Sequence, residues 1–125
     1  MTIPDFREGE TSIFIKDKMV DLEIPILDIL ELDEIFLVLV EDFDLSPDDP
    51  NVGRNIIALD KSGNVVWRVQ PFWHTVRAED GRKVPDSYRS LRLEEGNKIY
   101  SYQGIGYVCE IDPQTGKIIG EEYTR

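Results

Sequence analysis

The chain has 125 residues and a mass of 14.4 kDa, with 25 acidic against 14 basic side chains and a formal net charge of −11. That length suits one domain, 1–125, and is too short for two well-filled cores. Hydrophobic residues make up 41%, too many for a disordered chain, while the longest apolar run, Ile35 to Val40, falls far short of the ~20 residues of a membrane helix.

The opening Met1-Thr2-Ile3-Pro4-Asp5-Phe6-Arg7-Glu8 has neither the apolar core nor the basic leader of a secretory peptide. A single cysteine, Cys109, excludes an internal disulfide and suits a reducing compartment. A cytoplasmic, acidic protein is expected, with no membrane partner.

In chain order the pattern is alternation over short runs, the mark of half-buried strands. Ser12 to Lys16 forms the first. Val20, Leu22, Ile24 and Ile26 keep period two, with Asp21, Glu23 and Pro25 on the other side suited to an exposed edge. A helix over Ile26, Leu27, Ile29 and Leu30 competes with that reading. Glu34–Glu41 is apolar almost throughout and reads as a strand buried on both faces.

Residues 41–53 form a loop by composition, with two prolines and five acids. Strands Arg54–Asp60 and Asn64–Gln70 flank a turn at Lys61-Ser62-Gly63-Asn64. A long connection, Pro71–Ser87, carries Phe72, Trp73, His74, Arg77, Arg82 and Lys83. Four strands complete the chain, Tyr88–Leu93, Lys98–Gln103, Tyr107–Asp112 and Lys117–Tyr123, leaving little or no helix.

Two stretches repeat each other. Asn55-Ile56-Ile57-Ala58-Leu59-Asp60, its Gly63 turn and Trp67 parallel Tyr107-Val108-Cys109-Glu110-Ile111-Asp112 and its Gly116 turn. Asp before such a turn accepts backbone N–H groups two residues on, and Gly supplies the positive φ. The chain thus reads as two four-stranded meanders, 26–70 and 88–123. The first copy resembles the blade motif of quinoprotein-type (PQQ-like) β-propellers, in which Ala-Leu-Asp leads through a glycine turn to a tryptophan.

The resemblance implies that Trp67 docks between neighbouring blades. The second copy departs from it, with Gly120 at the tryptophan position. A closed propeller needs at least four blades of ~40 residues, so one chain supplies two, and no quinone cofactor is carried over. The expected fold is all-β: an antiparallel meander of about eight to ten strands, in which two propeller-blade-like units form a sandwich or partly open barrel.

No catalytic, cofactor-binding or metal-binding residues stand out. One histidine and one cysteine cannot make a His/Cys metal cluster, and the acidic loop lacks the order of an EF-hand. Gly104-Ile105-Gly106 and Thr115-Gly116-Lys117 fail as phosphate loops and read as turns. Cys109 falls in a strand on the same side as Ile111, as a buried thiol does. The chain is not expected to be an enzyme.

Charge carries more information. Residues 1–50 hold 15 acidic side chains against Arg7, Lys16 and Lys18, whereas residues 51–125 are nearly balanced. An acidic face repels nucleic acid and anionic lipid and steers cationic partners. Size, charge and missing chemistry together resemble, in general terms, the small acidic bacterial immunity proteins that block nuclease toxins.

The expected partner is a basic protein such as a toxin domain, met by Asp42, Asp44, Asp48 and Asp49 of the loop and by Phe72, Trp73, His74 and Arg77 of the connection. No nucleic-acid partner is expected, and the chain would be a monomer or small homo-oligomer. The alternatives are a self-assembling β-subunit and a small-anion binder using the 70–87 loop.

Overall fold

The computed structural model describes Arg7, residues 9–104 and residues 106–123; the leader-free reading of the first eight residues lies largely outside them. The described chain is all-β, with antiparallel pairing throughout and no helix.

Strands β1 (Ser12–Ile15) and β2 (Lys18–Asp21) make a hairpin. A four-stranded sheet follows in meander order: β3 (Ile26–Glu31), β4 (Ile35–Val40), β5 (Ile56–Asp60) and β6 (Val65–Arg68). A second hairpin, β7 (Thr75–Arg77) and β8 (Lys83–Pro85), lies between it and the second meander. That meander comprises β9 (Arg92–Glu94), β10 (Lys98–Tyr102), β11 (Tyr107–Ile111) and β12 (Ile118–Tyr123).

The layers stack. Ile13, Ile15, Val20 and Leu22 of the first hairpin region share a core with Ile29, Phe36, Val38, Ile57 and Leu59 on one face of β3–β6. On the opposite face, Leu37, Leu39, Ile56 and Ala58 pack with Ile99, Cys109 and Ile111 of the second sheet. β4 and β5 are therefore covered on both sides, which is why Phe36–Val40 and Ile56–Leu59 read as unbroken apolar runs.

The two sheets match in detail. Asp60 accepts the amides of Ser62 and Asn64, and Asp112 accepts that of Gln114. Gly63 and Gly116 take φ of 91° and 76° in the corresponding turns. Each sheet has a register shift at the same place, between Ala58 and Leu59 and between Glu110 and Ile111. Trp67 lies against the turn of the other sheet: its Nε1 donates to the Pro113 carbonyl at 3.0 Å. A Cβ on Gly116 would come within 2.4 Å of the Trp67 ring, so the approach requires glycine there.

Two expectations change. The Val20–Ile26 alternation is not one strand, because Glu23 adopts φ of 68° and breaks it into β2 and β3, which lie in different sheets. Buried Val20, Leu22 and Ile26 still face one core, but Asp21, Glu23 and Pro25 do not guard a single edge. The connection 71–87 also holds a hairpin, which helps bring the strands among the described residues to twelve.

Candidate functional site

The acidic loop and the connection 71–87 meet. Asp42 is 5% exposed and holds the junction: its Oδ2 accepts the Gly53 amide and its Oδ1 accepts the Ser87 hydroxyl. Gly53, at φ of 77°, sits so close to Pro85 that a Cβ would lie 2.5 Å from the proline Cβ. Asp48 pairs with Arg82, which also pairs with Asp80. The Arg82 backbone amide, its principal partner, holds Asp80 below the usual carboxylate range.

Between the loop and the β7–β8 hairpin lies a pocket of about 470 Å³. Its walls mix Phe43, Leu45, Val76 and Pro85 with the charged Asp44, Arg77, Glu79 and Arg89. Phe43 is 63% exposed, and the Arg89 guanidinium lies over its ring at 5.3 Å. Arg89 also donates to buried Asp86 at 3.2 Å, which fixes the cation in place. Arg77 donates to the Gly81 carbonyl and so braces the hairpin turn.

The eight residues singled out from sequence thus divide. Asp42, Asp44 and Arg77 share this pocket. Asp48 is exposed but already paired with Arg82, and Asp49 accepts the Asn51 amide within the loop. Asp42 and Phe72 are interior residues that shape the surface without forming it.

Trp73 and His74 lie elsewhere, in an aromatic cluster. Trp73 is 58% exposed, with its ring 4.9 Å from Phe72, 5.3 Å from Tyr107 and 5.8 Å from His74.

Sequence reasoning missed Phe43, Asp86 and Arg89. A phenylalanine inside an acidic loop was the available signal for Phe43; nothing local marked Asp86, whose role depends on a fold-made junction. Cys109 is fully buried, and burial, with a smaller contribution from the Glu121 charge, pushes its thiol up to about 12. Such a thiol is a poor nucleophile at neutral pH. Among the described residues, no group of three or more His, Cys, Asp or Glu is placed to hold a metal ion, and no helix is long and apolar enough to cross a membrane.

Among solved structures, the chain is similar to the computationally designed Ika8 protein, with a TM-score of 0.54 at 12% identity over 98% of this chain. It spans 36% of that protein's length, and the likeness concerns the fold alone. No curated protein matches the chain. The family model described as a domain of unknown function (DUF7957) matches residues 3–123, so the chain belongs to that family.

Proposed function

We propose that the chain is a protein-binding module, an immunity-type inhibitor that occupies a cationic partner such as a toxin nuclease. Its docking face is the junction of loop 41–53 with the β7–β8 hairpin. The observation that carries this reading is an exposed phenylalanine at a pocket whose charged lining is mainly acidic. Phe43 stands beside Asp44, with Asp42, Glu79 and Asp86 in the same lining against Arg77 and Arg89.

The physics assigns the parts different work. The net charge of −11 speeds encounter with a basic surface, an effect that fades as salt rises. Phe43, once covered, slows release, as aromatic anchors do. Arg89, pinned by Asp86, holds the ring in position. In this reading the protein binds and blocks, and it carries out no reaction and needs no cofactor. A small-anion site in the same pocket is disfavoured by the four carboxylates of its lining.

Capture from a lysate of the producing cells, on immobilised protein at two salt concentrations, tests the reading. The expected result is a basic protein held at low salt and released at high salt. Phe43→Ala should weaken its retention by about thirtyfold, the loss typical of an aromatic anchor; Asp44→Asn should mainly slow association. Undiminished capture by the Phe43→Ala, Asp44→Asn double variant would overturn it.

A further inference from the structure

β12 is an edge strand, and it runs beside the aromatic cluster. Gln70 Oε1 accepts the Ile118 amide at the start of the edge, and from Ile119 to Tyr123 the strand is exposed apart from half-buried Gly120. Glu121 is the residue opposite Cys109, and Tyr123 is opposite Tyr107, so both stand on the side of the sheet that carries Trp73. The Trp73 Nε1 donates to Glu121 Oε2 at 2.9 Å, and the Tyr107 and Tyr123 rings lie 5.0 Å apart. A pocket of about 470 Å³ opens here, with Trp73, Glu121 and Gln70 among its walls.

The combination is specific in chemistry. An indole 58% exposed, yet braced by Phe72, Tyr107 and His74, offers a fixed aromatic surface. A carboxylate is hydrogen-bonded to its edge. Aromatic surface plus carboxylate attracts a cation, through the ring quadrupole and by direct pairing. Bracing lowers the ordering cost of binding. The adjoining edge, which pairs with no further strand among the described residues, supplies main-chain donors and acceptors for an added strand.

We propose that the β12 edge, with Trp73 and Glu121, receives an extended arginine- or lysine-bearing segment of a partner protein as a fifth strand of the sheet. Side chains of an added strand alternate, so every second residue falls on the Trp73 side. A cation opposite Glu121 makes a favourable cross-strand pair at about 5 Å. A second copy of this chain is a poor occupant: pairing two β12 edges would bring Glu121 and Glu122 of each copy against one another, and like charges across strands repel. The site stands independently of the docking face at loop 41–53 and uses none of its residues.

The test is titration of the intact protein with the synthetic peptide (Arg-Thr)3, followed by amide NMR shifts of residues 119–123, with (Glu-Thr)3 as control. Saturable shifts confined to β12 and its neighbours are expected with the arginine peptide and absent with the glutamate one. Glu121→Gln, an exposed and isosteric change, should weaken binding about fivefold. Trp73→Ala should weaken it about thirtyfold, and Asp44→Asn should leave it unchanged.

The proposal is overturned if the peptide causes no shift or if affinity is the same in Glu121→Gln. It is also overturned if β12 shifts depend on protein concentration alone, the mark of self-pairing, or if affinity falls in Asp44→Asn but not in Glu121→Gln.

Discussion

The two four-stranded sheets share strand order, turn chemistry and the position of their bulge, yet one is covered on both faces and the other on one. The register pairs Leu37 with Ala58 in the first sheet and Tyr100 with Glu110 at the matching place in the second. It likewise matches Leu30 with Arg92, through their partners Leu37 and Tyr100, and Trp67 with Gly120, through Ala58 and Glu110. The face that packs on the next layer in one sheet is thus rebuilt for water in the other. Arg92 pairs with Glu94 at 3.1 Å and lies over the Tyr100 and Tyr102 rings, so even its aromatics are roofed by charge.

The lesson is how a stack of similar sheets ends. A repeated unit needs a neighbour for each apolar face, and a terminal unit must replace that face with polar groups. Here the backbone is kept and the side chains are changed. This weighs against ring formation through the outer face of β9–β12 and in favour of a protein that acts through its loops and edges.

The largest effect is expected at the centre of the covered sheet. Ala58→Glu places in the covered sheet the residue that its counterpart carries at 110, burying a charge without a partner. It should cost more than about 4 kcal/mol and prevent folding, while Glu110→Ala should stay within about 0.5 kcal/mol, both read by urea unfolding. The reverse exchange sharpens the point. Arg92→Leu, Glu94→Leu, Glu110→Ala and Glu122→Val together rebuild an uncovered apolar face. Sedimentation should then show more self-association than in the parent chain, and a quadruple variant no more associated than the parent would contradict the end-face argument.

Trp67→Ala removes the ring that spans the two sheets and its bond to Pro113. About 3 kcal/mol of stability should be lost, measured by chemical denaturation. The smallest effect is expected at Gln103. Its side-chain amide is buried with no hydrogen-bond partner, while its backbone N–H donates to the Tyr107 carbonyl as that of Val40 donates to the Asn55 carbonyl in the first sheet. Gln103→Val should therefore stabilise the protein by about 1 kcal/mol, seen as a raised denaturation midpoint.

Much of this architecture was legible because it is local. Period-two alternation marks most strands, and the Asp60–Gly63 turn and its longer copy at Asp112–Gly116 expose the duplication in the sequence itself. What was not legible depends on distant partners or on backbone angles. Glu23 takes a left-handed φ that its residue type does not announce, and so Val20–Ile26 splits. β7 is exposed throughout and shows no alternation in burial; main-chain pairing defines it.

At the candidate site, an acidic loop suggested solvent, but Asp42 is drawn inside by Ser87, 45 positions away. The half-and-half division of charge is likewise resolved in space, where Asp48 reaches Arg82 and Glu31 reaches Lys61. Trp73, grouped by sequence with the acidic loop, belongs instead to the β12 edge.

The most direct test of the proposed docking face is amide hydrogen exchange of the protein alone and with its captured partner. Slowed exchange is expected at residues 43–46 and 76–82, on the two sides of the pocket, with the outer face of β9–β12 unchanged. Protection confined to that outer face, or absent from both sides of the pocket, would contradict it.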